Sequence, residues 1–228
     1  MTCYGRFTGN KWICDDYVRD RWDEIVDATV SHLGLTVSAV LLGIVLALPL
    51  ALLARRSPRL EAAVLGVASG IYTIPSLALL PLLVPFTGLT ATTVVIGLAL
   101  YCLTILVRAF LDGLRAVPDD VKESAIGLGY GRARLLTRIE LPLALPVVLA
   151  GVRVATVSTV ALATVGTIVA HGGLGDLINH GRLTDFKAEL LTASVLCVMI
   201  ALFLDGLLLA LQHVLTPWAR TRGLEVSR

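Results

Sequence analysis

Long apolar runs alternate with short charged segments along most of the chain. Residues 33–54 carry no charged side chain, and a helix of this length crosses a hydrocarbon layer about 30 Å thick at about 1.5 Å per residue. Similar apolar runs follow, each predicting a further span: residues 60–86, 89–107, 143–170 and 190–215. The pattern predicts an all-α integral membrane protein with about five transmembrane helices. Residues 171–189 join the last two spans as a glycine-rich loop with a short apolar helix.

The second apolar run is interrupted by prolines, of which Pro75 is the first. We expect a spanning helix that breaks near residues 74–76 and continues as a second, irregular apolar piece. Broken backbone at membrane depth is tolerated where it is buried in protein or lines a cavity, so Tyr72, Pro75 and Ser76 are candidates for lining a translocation path. A proline kink that touches no solute is the alternative.

The fourth run is rich in small and hydroxylated residues, including Thr156 and Thr159. A lipid-facing helix needs none of these side chains, so we expect this face at a path or a subunit interface, with close helix packing as the alternative. Arg153 and Asp205 lie about 15 Å from one end of their predicted helices. An isolated charge at that depth is costly, which predicts an Arg153–Asp205 ion pair.

Composition agrees with a membrane location. Hydrophobic residues make up 56% of the chain and charged residues 16%, and the mean hydropathy is +0.83, which is wrong for a water-soluble surface. The net charge of +2 is close to neutral, so it argues against a polyanionic partner such as nucleic acid. No cleavable signal sequence precedes the first run, which is therefore expected to target the chain itself.

The arginines and lysines predict the orientation. With the amino terminus outside, inner loops and tail carry twelve Lys and Arg, and outer segments carry six. The positive excess belongs in the cytoplasm. The chain then divides into an extracytoplasmic or interfacial segment (1–32), a transmembrane domain (33–215) and a cytoplasmic tail (216–228). The insertion at residues 118–142 is cytoplasmic.

The amino-terminal segment has its own pattern. Residues 15–27 are typical of a short amphipathic helix at the interface, where Trp12, Tyr17 and Trp22 suit the headgroup region. A Cys3–Cys14 disulfide is one interpretation if the segment is extracytoplasmic, and unpaired thiols are the other.

We call residues 118–142 the central insertion. Pro118 ends the preceding helix, and Asp120 with Glu123 is typical of a helix start. The glycines that follow predict a bend, and a second short helix is expected from about residue 132 to 139, closed by Pro142. On that helix, apolar and basic side chains occupy separate faces, a shape suited to insertion into a protein groove: Leu135, Leu136 and Ile139 against Arg134 and Arg138. An ordinary solvated loop is the alternative.

Six positions of the insertion resemble the EAA signature of permease subunits of bacterial ABC importers: Glu123, Ala125, Gly129, Ile139, Leu141 and Pro142. Ser124 replaces the usual second alanine, which is a change of one small residue for another. The resemblance implies a type I (MetI-like) fold, in which this segment is the coupling helix seated in a cleft of a separate ATPase subunit. ATP and magnesium then belong to that partner, and this chain carries no cofactor.

Residues 71–86, 140–157 and Gly172–Ile178 are similar to the permeases for osmoprotectants such as glycine betaine, choline, carnitine and proline. Methionine-type importers are similar at Gly172–Ile178, so a methionine-like amino acid is the alternative solute. Five helices in one copy form a thin wall for a solute path, so we expect a dimer with a second permease copy or a paralogue. An aromatic cage for a quaternary ammonium needs more rings than Tyr72 and Tyr101 near the middle of the spans. Specificity is therefore expected in a separate extracytoplasmic binding protein.

Other classes of function fit less well. No lysine lies in a GxxxxGK[ST] motif, which excludes an ATPase within this chain. The four histidines fall at or beyond the ends of the spans and lack the spacing of a metal site or of an intramembrane serine protease. We therefore expect a non-catalytic membrane subunit, and the remaining alternative class is an ion-coupled secondary transporter.

Overall fold

A computed structural model of the chain describes residues 9–218, and every regular element in that part is helical. Cys3 lies outside the described residues, so the Cys3–Cys14 disulfide stays a prediction. Most of the predicted tail (216–228) lies outside them as well. The elements are, in order, α1 (Asp15–Asp20), α2 (Trp22–Ala54), α3 (Pro58–Thr73), α4 (Ser76–Thr87), α5 (Ala91–Arg115), α6 (Asp119–Gly127), α7 (Arg132–Leu135), a π-helical turn (Leu136–Glu140), α8 (Leu141–Ala163), a 3₁₀ helix (Thr164–Val169), α9 (Leu174–Leu183) and α10 (Lys187–Leu215).

Four continuous helical segments of the described chain are long and apolar enough to span a membrane: α2, α5, residues 132–169 and α10. The pair α3 and α4 passes the same test together, but the two helices are bent by 101° where they meet. Counting this bent pair as one span, the prediction of about five spans is confirmed. The short helix predicted between the last two spans is α9.

The central helix of the bundle is α5, which packs against α2, α3, α4 and α8. The close approach of α2 and α8 to α5 depends on glycine at the points of contact. A Cβ atom added to Gly43 of α2 would lie 2.9 Å from Leu106 Cδ1, and one added to Gly151 of α8 would lie 2.2 Å from the Cβ of Ala109. Small residues at these positions therefore set how near α2 and α8 come to α5.

The break between α3 and α4 lies where the sequence predicts it. Ile74 and Pro75 are extended between the two helices, and Pro75 has no N–H to continue the ladder. The Tyr101 hydroxyl of α5 donates to the free Ile74 carbonyl, and Thr104 donates to the Ala68 carbonyl at 2.8 Å. Through Tyr101 the central helix thus satisfies a carbonyl that the break exposes, and Thr104 adds a bond to the body of α3; the first of these makes the bend tolerable at membrane depth.

The first span begins earlier than expected. Residues 15–27 are divided at Arg21 into α1 and the first turns of α2, so the expected single amphipathic helix is wrong. No Gly or Pro lies between Trp22 and residue 33, and Asp23 with Glu24 favours a helix start there. Residue 32, where the sequence pattern ends the amino-terminal segment, lies inside α2. Tyr17 is buried against Phe186, so it contacts protein and not headgroups, whereas Trp12 and Trp22 are exposed.

The second helix of the central insertion is not closed by Pro142, contrary to expectation. It continues from α7 through the π-helical turn and α8 to the end of the 3₁₀ helix, as one 38-residue segment. Pro142 is the second residue of α8, and its missing N–H leaves the Arg138 carbonyl without its usual partner. The wider π turn accommodates this loss, so the insertion is physically continuous with a span.

The loop before α9 packs tightly on α2 and on the end of the fourth span. Gly173 has φ +57°, and a Cβ atom there would lie 2.8 Å from the backbone nitrogen of His32. His32 is fully buried, and its two ring nitrogens face the carbonyl oxygens of Val160 and Gly172 at 3.0 and 3.2 Å. This face, which carries α1 and α9, we call the amino-terminal face. The opposite face, which carries Arg55, Arg115 and the central insertion, we call the insertion face.

Candidate functional site

A glycine-dependent turn shapes the central insertion. At the end of α6 the Tyr130 N–H donates to the Ala125 carbonyl at 3.1 Å, and the Gly129 N–H donates to the Ile126 carbonyl at 2.9 Å. This pair of bonds is a Schellman motif, which needs a left-handed residue at its centre. Gly129 supplies it with φ +83°. The turn reverses the chain and sets α6 against α7 and the π-helical turn.

The outer surface of the insertion mixes charged and apolar side chains. Glu123, Arg134 and Arg138 are exposed, and so are Ile126 and Leu128, at 57% and 79%. A shallow groove of about 300 Å³ lies beside them, lined by Asp120, Val121, Ser124, Ala125, Leu128, Tyr130 and Ile139. Exposed apolar side chains rimmed by charges are typical of a protein docking surface.

The other residues predicted to couple to the ATPase are less exposed. Ala125 is buried, and Leu135, Ile139, Leu141 and Pro142 are half-buried. Leu141 packs against the main apolar core of the bundle and so holds the insertion to the spans, whereas Glu123, Gly129, Arg134 and Arg138 are exposed.

Sequence reasoning missed Glu140. It is the last residue of the π-helical turn and is 6% exposed. Arg55, at the end of α2, donates to its carboxylate at 2.9 Å. The available signal was a single carboxylate at the start of an apolar run, but its partner lies 85 positions away, beyond any spacing rule.

The candidate path residues fall into two groups. Tyr72 is 50% exposed, Pro75 is exposed and Ser76 is half-buried at the bend. The Tyr72 ring packs edge-on against Tyr101, with centroids 5.7 Å apart. The bend therefore presents a surface that a path or a second subunit can contact.

Thr156 and Thr159, in contrast, are 5% and 1% exposed. Each hydroxyl donates to the carbonyl one turn earlier, at 2.8 and 2.7 Å, and Thr159 also lies 3.0 Å from the Cys102 sulfur. In this conformation the pair packs against α5, as the close-packing alternative expects, and does not face an open path.

The structure brings Arg153 and Asp205 together. Arg153 Nε and Nη2 donate to the two carboxylate oxygens at 2.9 and 2.8 Å, which is the two-pronged geometry of a strong ion pair. The side chains are 26% and 34% exposed on the outside of the bundle. The pair joins the middle of α8 to the middle of α10.

A cavity of about 560 Å³ opens on the amino-terminal face between α2, α5 and α9, and Glu24, Asp27 and Asp176 lie in its wall. Among residues 9–218, no group of three or more His, Cys, Asp and Glu side chains is arranged to hold a metal ion.

Comparisons with known proteins cover nearly the whole chain. Residues 39–221 match the family described as "Binding-protein-dependent transport system inner membrane component". The chain is 34% identical over 204 residues to the carnitine transport permease protein OpuCB of Listeria monocytogenes, covering 89% of this chain and 93% of that protein. It is 30% identical over 211 residues to the choline transport system permease protein OpuBB of Bacillus subtilis, covering 92% and 97%. It is 33% identical over 206 residues to the osmoprotectant import permease protein OsmW of Salmonella typhimurium, covering 88% and 96%.

Solved structures share the fold. A chain of the inward-facing MetNI methionine ABC transporter superposes with a TM-score of 0.78 at 19% identity, covering 86% of this chain and 98% of that one. At this identity the likeness concerns the fold alone.

Proposed function

Because the chain belongs to the family of inner membrane components of binding-protein-dependent transport systems, we propose that it is the permease subunit of an ATP-driven importer for quaternary-ammonium osmoprotectants. The fold is that of a type I ABC importer permease. The observation that carries the proposed solute class is the near full-length similarity to permeases named for carnitine, choline and osmoprotectant transport. A methionine-like solute has weaker support, since the methionine transporter is similar in fold at low identity.

The proposed assembly contains four kinds of component. ABC ATPase subunits bind ATP and magnesium and receive the central insertion, through exposed residues such as Glu123 and Ile126. A second permease copy or a paralogue completes the wall of the path, and an extracytoplasmic binding protein delivers the solute. The permease itself is a non-catalytic subunit.

The proposed orientation in the bacterial membrane follows from charge. The insertion face carries the larger share of arginines and lysines and lies in the cytoplasm, whereas α1 and α9 lie outside. The carboxy-terminal tail is cytoplasmic.

The proposed mechanism transmits motion and performs no chemistry in this chain. ATP binding closes the partner ATPases and displaces the insertions seated on them. Each insertion is continuous with α8, and its displacement is passed to the spans and alternates access between the two sides of the membrane. The bend between α3 and α4 is the proposed path element, with Tyr72, Pro75 and Ser76 at its surface.

Uptake by cells tests the solute class. We expect a bacterial strain without its own osmoprotectant importers to accumulate radiolabelled choline, carnitine or glycine betaine when it expresses this chain with its ATPase and binding protein. Growth at high salt should recover in the same cells when the solute is supplied. Radiolabelled methionine is the matched control. Uptake of methionine alone would contradict the osmoprotectant assignment and favour the amino-acid alternative.

A further inference from the structure

The ion pair between Glu140 and Arg55 joins the central insertion to the first span. Glu140 ends the π-helical turn, and its side chain is 8% exposed, whereas that of Arg55 is 37% exposed. A carboxylate that is shielded from water is costly unless it is paired. Arg55 pairs with this carboxylate from the end of α2, a helix that is distant in sequence from the insertion.

Movement of α6 must pass through the π-helical turn. Within the described chain, α6 packs chiefly on α7 and on this turn. The turn leads directly into α8, which begins with Leu141 and Pro142. A π turn followed by a residue that cannot donate is a place where a helix bends easily. Without a further anchor, the turn would absorb a displacement of α6 and leave the spans where they are.

Apolar packing and the ion pair supply that anchor together. Leu136 and Leu141 pack against the core that contains Ala51 and Ala54 near the end of α2. Apolar contacts of this kind are non-directional and allow sliding. The Arg55–Glu140 contact is directional and charge-assisted, so it fixes the position of the turn along α2.

From this geometry we propose that Arg55 and Glu140 are positioning residues that lock the π-helical turn to α2, so that displacement of the insertion moves α2 and α8 as one body. The other ion pair that joins separate helices on the insertion face, Arg115–Glu61, is more exposed, at 57% and 23%. It links α5 to the start of α3 and does not touch the insertion, which makes it a matched control.

The test uses the complete transporter reconstituted in proteoliposomes, with its ATPase and binding protein, because the inference rests on the proposed transport function. The readouts are the amount of assembled complex and the number of solute molecules taken up per ATP hydrolysed. The probe is whichever of choline, carnitine and glycine betaine the unaltered complex takes up fastest. We expect Glu140→Gln to assemble normally and to lower uptake per ATP by about five-fold, a typical size for coupling between sites. Glu61→Gln should leave the ratio unchanged.

The exchanged pair Arg55→Glu with Glu140→Arg should recover most of the lost uptake per ATP, since it restores the contact. Three results would each overturn the inference. Glu140→Gln could leave uptake per ATP unchanged, it could lower uptake only in proportion to the amount of assembled complex, or the exchanged pair could fail to recover uptake per ATP. The proposed function fails differently: the unaltered complex would then show no ATP-dependent uptake of any of the three solutes.

Discussion

Replacing Gly129 with valine is expected to lower solute uptake about ten-fold while the membrane spans stay folded. The reason is that about 1–2 kcal/mol of strain at the turn lowers the population of the docked conformation of α6 by about that factor. Gly129 has φ +83° and no heavy atom within 4 Å of a Cβ built on it. The requirement is therefore for a backbone conformation and not for space. A β-branched residue tolerates that conformation poorly, so the Schellman motif opens and α6, which carries Glu123 and Ile126, loses its fixed position against α7. The measurement is uptake in the reconstituted transporter, with the fraction of folded permease followed by its thermal transition.

Gly131 provides the matched control for this substitution. It also has open space around a built Cβ, but its φ is −71°, which any residue adopts. Gly131→Ala is expected to retain uptake close to that of the unaltered chain, and Gly129→Asn should retain more than Gly129→Val, since asparagine tolerates the left-handed region. Equal uptake in Gly129→Val and the unaltered chain would contradict the coupling role of the insertion.

Removing one member of the Arg153–Asp205 pair is expected to lower the amount of permease in the membrane by about ten-fold, because it leaves an uncompensated charge in the middle of a span. Asp205→Asn strands the guanidinium, and Arg153→Met strands the carboxylate. The double variant removes both charges and should accumulate to a higher level than either single variant. Immunoblots of the membrane fraction measure this, and Gly206→Ala is the control, since a Cβ there meets nothing within 4 Å.

Additive losses in the double variant would contradict a structural ion pair. An exchange of the two residues, Arg153→Asp with Asp205→Arg, gives a second criterion. We expect it to restore accumulation, because the pair lies on facing helices and either direction of the contact satisfies both charges.

The spans and the bend were predictable because the features that specify them are local. Uncharged length defines a crossing helix, and Pro75 interrupts one wherever it lies. The start of the first span was not predictable from hydropathy, since α2 begins at Trp22 among charged residues, and the acidic ones favour the amino-terminal turn of a helix without being apolar. The continuation through Pro142 was missed because a proline inside a helix usually ends it, and the sequence does not reveal the π-helical turn that accommodates this one.

At the candidate site, too, local features could be predicted from the sequence and tertiary contacts could not. The signature residues from Glu123 to Pro142 are close in sequence, so their spacing shows which of them can act together. Thr156 and Thr159 illustrate the limit: a threonine whose hydroxyl bonds to its own helix serves a packed interface as well as a path, and the sequence does not distinguish the two. The partner of Glu140 depends on how α2 meets the π-helical turn, which only tertiary structure reveals.

The energy source for uptake tests the central claim most directly. The permease is reconstituted in proteoliposomes with and without its ATPase, and uptake of choline, carnitine and glycine betaine is measured with ATP or with an imposed proton or sodium gradient. Our account predicts uptake only when ATPase, ATP and binding protein are all present, and none from a gradient alone. Gradient-driven uptake by the permease without the ATPase would contradict it and identify a secondary transporter.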